Sequence, residues 1–255
     1  MKHPRKIVLI SSIIALLFSV SCGKDDGDTI DLSNIEFAFS QSDPPIDQTI
    51  ITNLANAQDP NASQIASQLS IANLMTAFLG YFQETPGAVQ TTTPIGTCGG
   101  DAVVYTYTST DGSDTYSIAY QICDSGDKYT FQVFVSVNGA DFSLLVYAEE
   151  TKTELKEGLM NIYAADPDEI AASTEVVLKY TWKENADGSL DYTASNDDQG
   201  FLISMKINAD NSGTLSYTFD GLLSFEATWN ATGTAGTFTN YDSQGNIVSS
   251  GSWPE

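Results

Sequence analysis

Few residue types in this 255-residue chain have spacing that points to chemistry. Cysteine is one: the chain has three, Cys22, Cys98 and Cys123. Cys98 precedes one alternating apolar stretch and Cys123 ends the next, with Asp111-Gly112-Ser113 between them. A hairpin turning at Asp111-Gly112 brings the two thiols together, with pairs across the turn expected to sum to 223 or 224. The shortfall of Cys98 and Cys123 from that sum is expected to be absorbed by a bulge at Gly99-Gly100. A disulfide closing this loop would contribute roughly 3 kcal/mol. The second candidate is Asn208-Ala209-Asp210-Asn211-Ser212-Gly213. Its oxygen-bearing side chains Asn208, Asp210 and Ser212 stand at positions 1, 3 and 5 of a calcium loop, with glycine at 6. Position 12 is Phe219 rather than Glu, so a hairpin turn is the expectation and calcium the alternative. No metal or other cofactor is expected.

Catalysis has little to draw on. The chain has 33 Asp+Glu against 10 Lys+Arg and one His, a formal charge of −23. The single His and the single Arg are His3 and Arg5, beside Lys2 and Lys6 at the extreme N-terminus. Removing residues 1–21 takes three of the ten basic residues, leaving 7 Lys against 33 acids and a formal charge of −26. Such a chain has no His general base and no Arg fork for phosphate or carboxylate. Nor has it the basic face that nucleic acid requires. Glycoside hydrolysis by two carboxylates is the one enzymatic route left open, and Glu149, Glu150, Glu154 and Glu226 are its least turn-like acids. No spacing selects a pair of them, so the expectation is a protein that is not an enzyme.

The N-terminus reads as an address. Met1 to Lys6 is basic, and Ile7 to Val20 is apolar apart from serines. That run is shorter than the roughly 20 residues a bilayer span takes and fits a signal peptide. Ser19-Val20-Ser21-Cys22 resembles a bacterial lipobox, with Ser19 where Leu is usual. The resemblance implies cleavage before Cys22 and lipidation of its thiol and new amino group. Each buried CH₂ would contribute about 0.8 kcal/mol to anchoring. Lys24, Asp25 and Asp26 follow, and they resemble the surface-export tag of Bacteroidota-type lipoproteins. Together these imply an outer-membrane protein held by its lipid anchor and displayed on the cell surface, with the periplasmic face as the alternative.

The remainder is expected to divide into an acidic tether over 22–45 and a single domain over 46–255. Ile46, Ile50, Ile51 and Leu54 form a short helical stripe ending near Asp59-Pro60. A second helix from Asn61 to Phe82 spaces Ile65, Leu69, Ala72, Met75, Leu79 and Phe82 along one face, widened by Ile71, Leu74 and Phe78. From Cys98 the period changes to two, as in Phe131-Val133-Val135-Val137 and Phe225-Ala227-Trp229, with Asn-Gly and Asp-Gly turns between runs. This pattern predicts a mainly β (α+β) fold: an antiparallel up-and-down meander of about 10–12 strands, curled into a barrel or half-barrel, with the N-terminal helices packed on it. Ala164 to Ser173 is expected to form the one substantial loop.

The architecture is loosely similar to the lipoprotein-carrier group, whose curved sheet under helices holds acyl chains, and this resemblance implies a hydrophobic ligand. The C-terminal Tyr241-Asp242-Ser243-Gln244-Gly245-Asn246 and Gly251-Ser252-Trp253 are similar to short aromatic-glycine hairpin repeats, present in one copy. A glycan adhesion role through Trp182, Trp229 or Trp253 is a further alternative, although each lies on an apolar strand face and is expected in the core. The expected function is a non-enzymatic, lipid-anchored envelope protein with a binding or structural role.

Overall fold

A computed structural model describes residues 46–80, 89–164 and 175–253. The signal segment, Cys22, the Lys24-Asp25-Asp26 cluster, the tether and most of the 164–173 loop lie outside the described residues. The fold is mainly β. Thirteen strands form an antiparallel up-and-down meander whose order in the sheet is their order in the chain, and among the described residues no ladder pairs β13 with β1. The count exceeds the expected 10–12 because short strands with weak alternation also pair.

Two compact units emerge. The first contains β1 (Val89–Thr91), β2 (Ala102–Asp111), β3 (Asp114–Asp124), β4 (Lys128–Val137), β5 (Ser143–Thr151) and most of β6 (Glu157–Tyr163). The β2–β3 turn is the two-residue loop Gly112-Ser113, with Gly112 at a φ of 61° that suits glycine. The ladder pairs Asp111 with Asp114 and Ala102 with Cys123, a constant sum of 225 rather than 223 or 224. It runs without a bulge, so the expected irregularity at Gly99-Gly100 is absent from the pairing. Gly100 instead lies so close to the Asp124 carbonyl that a Cβ would overlap it. One core cluster is Val104, Ala119 and Phe134, packed by Ile95, Phe142 and Leu144.

The second unit holds both helices, the end of β7 (Val176–Glu184), β8 (Leu190–Asn196), β9 (Phe201–Ile207), β10 (Gly213–Phe219), β11 (Leu222–Trp229), β12 (Gly236–Tyr241) and β13 (Ile247–Trp253). Helix α1 (Gln48–Asn56) starts at Asp47, whose carboxylate accepts the Thr49 N–H at 2.7 Å. Helix α2 (Pro60–Gly80) is capped by Asp59, which accepts from Asn61 and Ala62, with Pro60 in the first helical position. Ile50, Ile51, Leu54, Ile65 and Leu69 are buried. Ile71 is 40 % exposed, so it does not widen the buried face as expected. The helices meet the sheet where Asn53 Nδ2 donates to the Thr232 carbonyl and Gly233 approaches Ile50 and Leu54.

The second unit is also repetitive, through turns that lie outside the C-terminal motif. The turns Asn185-Ala186-Asp187-Gly188-Ser189, Asn208-Ala209-Asp210-Asn211-Ser212 and Asn230-Ala231-Thr232-Gly233-Thr234 join β7–β8, β9–β10 and β11–β12. All three turns therefore lie at the same end of the sheet. In each, the fourth residue takes a positive φ, 79°, 70° and 71°, and its N–H donates to the carbonyl of the leading Asn. Each hairpin is thus a variant of one unit of about two dozen residues, and β13 reads as the first strand of a fourth.

Candidate functional site

The structure joins Cys98 and Cys123 in a disulfide, with Cα atoms 5.6 Å apart and 25 residues between them in sequence. Beside it, the buried Gln121 clamps the 95–96 backbone. Its Oε1 accepts from the Ile95 and Gly96 N–H groups at 2.6 and 3.1 Å, and its Nε2 donates to the Gly96 carbonyl and to Gln132. Disulfide and amide together fasten the segment before β2 across the end of β3. This is structural work, with every described polar atom of Gln121 engaged.

Asn208, Asp210 and Ser212 fall in the β9–β10 hairpin turn. Asp210 Oδ1 accepts from the Ser212 N–H at 3.0 Å and its hydroxyl at 2.6 Å, while Asn208 Nδ2 donates to that hydroxyl. Asn185, Asp187 and Ser189 repeat the same bonds in the β7–β8 turn. These oxygens therefore serve turn closure, and the bonds from Ser212 hold the Asp210 carboxyl below the usual carboxylate range. Among the described residues, no group of three or more His, Cys, Asp or Glu is placed to hold a metal ion.

The carboxylates considered for hydrolysis are divided between the two units. Glu149 accepts from Lys128 Nζ at 2.7 Å and from the Tyr147 hydroxyl at 2.8 Å. Burial pushes its carboxyl up, but these two donors outweigh it and hold the group low. Glu150, next on the strand, points to the other face and is buried. Glu154 is exposed in the turn before β6. Glu226 lies in the second unit, on the exposed face of β11, where it accepts from the Tyr241 hydroxyl at 2.6 Å.

That exposed face carries a polar groove. Strand alternation sends Trp182, Tyr192, Met205, Leu215, Ala227, Trp229 and Trp253 to the buried side. Trp182, Trp229 and Trp253 are only 4 %, 4 % and 2 % exposed, so none offers a stacking platform at the surface. The intervening residues form two rungs in register across β7–β13. One runs Lys183, Asp191, Lys206, Thr214, Thr228, Thr237, Ser252. The other runs Thr181, Thr193, Ser204, Ser216, Glu226, Thr239, Ser250. Over the middle of these rungs lies a groove of about 510 Å³, its floor three residues from each of the five strands β8–β12. Neighbouring hydroxyls bond along a rung, Thr181 with Thr193 at 2.6 Å and Thr228 with Thr237 at 2.9 Å. Asp191 is held by Asn185 Nδ2 at 2.8 Å, which fixes its carboxylate at the groove wall.

Sequence reasoning missed this face because its residues are ordinary in type and distant in the chain. The available signal was the Asn-Ala step recurring at 185, 208 and 230, which places Lys183, Lys206 and Thr228 at one repeat position and Thr181, Ser204 and Glu226 at another. No protein-family model and no curated protein sequence matches the chain.

Proposed function

We propose that this chain is a lipid-anchored, non-enzymatic lipoprotein of the bacterial outer membrane, displayed on the cell surface and acting by binding. The observation that carries the binding role is the groove over β8–β12, floored by hydroxyls with Asp191, Lys206 and Glu226 among them. The rungs, in register across seven strands, present a periodic array of hydrogen-bond donors and acceptors, which supports a recognition role. Asp191 and Glu226 are the groove's carboxylates. Their strands stand three spacings apart, about 14 Å along the sheet, whereas glycoside hydrolysis uses carboxyls roughly 5–9.5 Å apart. That separation favours binding over hydrolysis. The second unit's interior favours it over carriage of a hydrophobic ligand, since Leu54, Ile65, Leu69 and Leu215 are fully buried and the three indoles nearly so.

The anchored part of the reading rests on Ser19-Val20-Ser21-Cys22 and the Lys24-Asp25-Asp26 cluster. Metabolic labelling with an alkyne fatty acid tests it: the wild-type chain takes up label and Cys22→Ser does not. Protease treatment of intact cells then tests display, with loss of the full-length band expected. Equal labelling of both forms would overturn the anchor, and full protection would move the protein to the periplasmic face.

A further inference from the structure

The groove's dimensions and chemistry narrow what it takes. Five strands at about 4.8 Å spacing and three residues along each strand give a floor of about 19 Å by 7 Å, its long axis crossing the strands. The two rungs present side chains at one strand spacing for the whole length, so the floor is itself periodic. Its middle is Ser204, Thr214 and Ser216, whose hydroxyls make no hydrogen bond to another described residue. Each can both donate and accept. Glu226 adds a carboxylate acceptor near one end and Asp191 another near the opposite end.

We propose that this groove binds an extended, uncharged glycan lying across the strands; the inference rests on the binding role proposed above and names its ligand class. A periodic row of hydroxyls complements a polymer with hydroxyls on every unit, and the groove's length accepts several units at once. Charge disfavours anionic chains. Lys206 is the one cation on the groove floor, and it faces Asp191 across the β8–β9 ladder; Asp187, held low first by its hydrogen bonds from Ser189, also feels the Lys206 charge. The chain's formal charge of −23 repels polyanions at longer range. The two rungs carry no aromatic side chain over β8–β12, so contacts to them are solvent-competing hydrogen bonds and single-site binding is weak. A dense population of anchored copies raises the effective affinity for a long polymer.

Calorimetric titration of the detergent-solubilised full chain tests this, with cellohexaose, maltohexaose, laminarihexaose and mannohexaose as neutral probes. An alginate hexamer and a chitosan hexamer serve as anionic and cationic contrasts. At least one neutral probe is expected to saturate the protein, and the alginate hexamer is not. Glu226→Gln and the pair Ser204→Ala/Ser216→Ala are each expected to weaken that binding about tenfold. Thr108→Ala, on β2 in the other unit, is expected to leave it unchanged. Ser216→Lys, which fills the groove centre without touching the core face, is expected to abolish it, and circular dichroism checks that each variant is folded. Saturation by none of the neutral probes overturns the inference, as does tighter binding of either charged hexamer or equal binding by Ser216→Lys. A chain that is lipidated and surface-displayed yet fails here loses only the glycan assignment, whereas binding by a chain that takes up no fatty acid retains the groove and overturns the anchor.

Discussion

The indole of Trp229 occupies the space that a side chain at Gly213 would need. The two residues pair across β10 and β11, and a Cβ on Gly213 would overlap both the ring and the Lys206 carbonyl. The ring is also fixed by its Nε1, which donates to the Asn211 carbonyl at 3.0 Å. Gly236 and Trp253 repeat the relationship across β12 and β13, one repeat later. A large ring over a glycine fills the bare strand surface and keeps adjacent hairpins in one register. Gly213→Ala is therefore expected to cost about 1–3 kcal/mol by overpacking, read as a lower urea midpoint at unchanged slope. In a Trp229→Leu background the same substitution should cost at least about 0.5 kcal/mol less. Equal costs in the two backgrounds would mean that the Lys206 backbone, not the indole, demands the glycine.

Reduction of the Cys98–Cys123 bond should weaken the fold without dissolving it. The bond closes 25 residues, worth roughly 3 kcal/mol in the chain-entropy account. Gln121 still holds Ile95 and Gly96 in the reduced protein, so the segment stays docked at lower stability. The double variant Cys98→Ser/Cys123→Ser is expected to show a urea midpoint equal to that of the reduced wild type. A midpoint equal to that of the oxidised protein would remove the bond from any account of stability.

The sheet was legible in the sequence because strand pairing is local here. Alternation in Phe131-Val133-Val135 or Leu215-Tyr217-Phe219 marks a strand, and Asn138-Gly139 or Asp220-Gly221 marks the turn after it through residues that tolerate positive φ. Antiparallel neighbours then follow in order. Exact register was less legible: the Cys98–Cys123 hairpin pairs with a sum of 225 rather than 223 or 224, because its two-residue loop is Gly112-Ser113 and not Asp111-Gly112. The groove was not legible at all. Ser204, Thr214 and Ser216 are unremarkable residues until the β9–β10 turn, fixed by Asn208, aligns them. The repeat that aligns them is masked by variation, since Glu184, Ile207 and Trp229 fill the same place before the three asparagines.

Stability should fall at both ends of the pH scale, for opposite reasons. Hydrogen bonds from Lys152 and the Gly126 N–H hold Asp124 low, and Lys128 with Tyr147 holds Glu149 low against its burial. Groups with depressed folded pKa values stabilise above their unfolded values near 4, and that contribution is lost as pH falls through the folded values. At the alkaline end, burial pushes the Tyr180 phenol up to about 12, and burial with the adjacent Glu149 pushes Tyr147 to about 12. Tyr120 and Tyr192 are raised further, first by burial and then by a neighbouring tyrosine. Raised values stabilise fully below the unfolded value near 10 and fail as pH climbs through the folded ones. Tyrosinate absorbance is therefore expected to rise in two stages, the second coinciding with unfolding at about pH 12. A single titration centred near 10 with the fold intact would contradict the burial of these phenols.

Asn185 and Asn208 occupy the same place in two successive turns, yet they should not be equivalent in function. Asn208 Nδ2 bonds Ser212 Oγ inside its own turn. Asn185 makes the matching bond to Ser189 and also holds the Asp191 carboxylate at 2.8 Å. Replacing either by Ala removes side-chain hydrogen bonds and should cost about 1 kcal/mol, seen as similar falls in urea midpoint. Only Asn185→Ala also frees Asp191 to rotate away from the groove wall, so only that variant should lose affinity for the neutral hexasaccharide, by about tenfold. An Asp191→Asn variant should then weaken binding to a similar degree while leaving the β7–β8 turn bonds of Asn185 to Ser189 in place. If Asn208→Ala weakened binding as much as Asn185→Ala, the effect would belong to turn rigidity, and Asp191 would have no direct part in recognition.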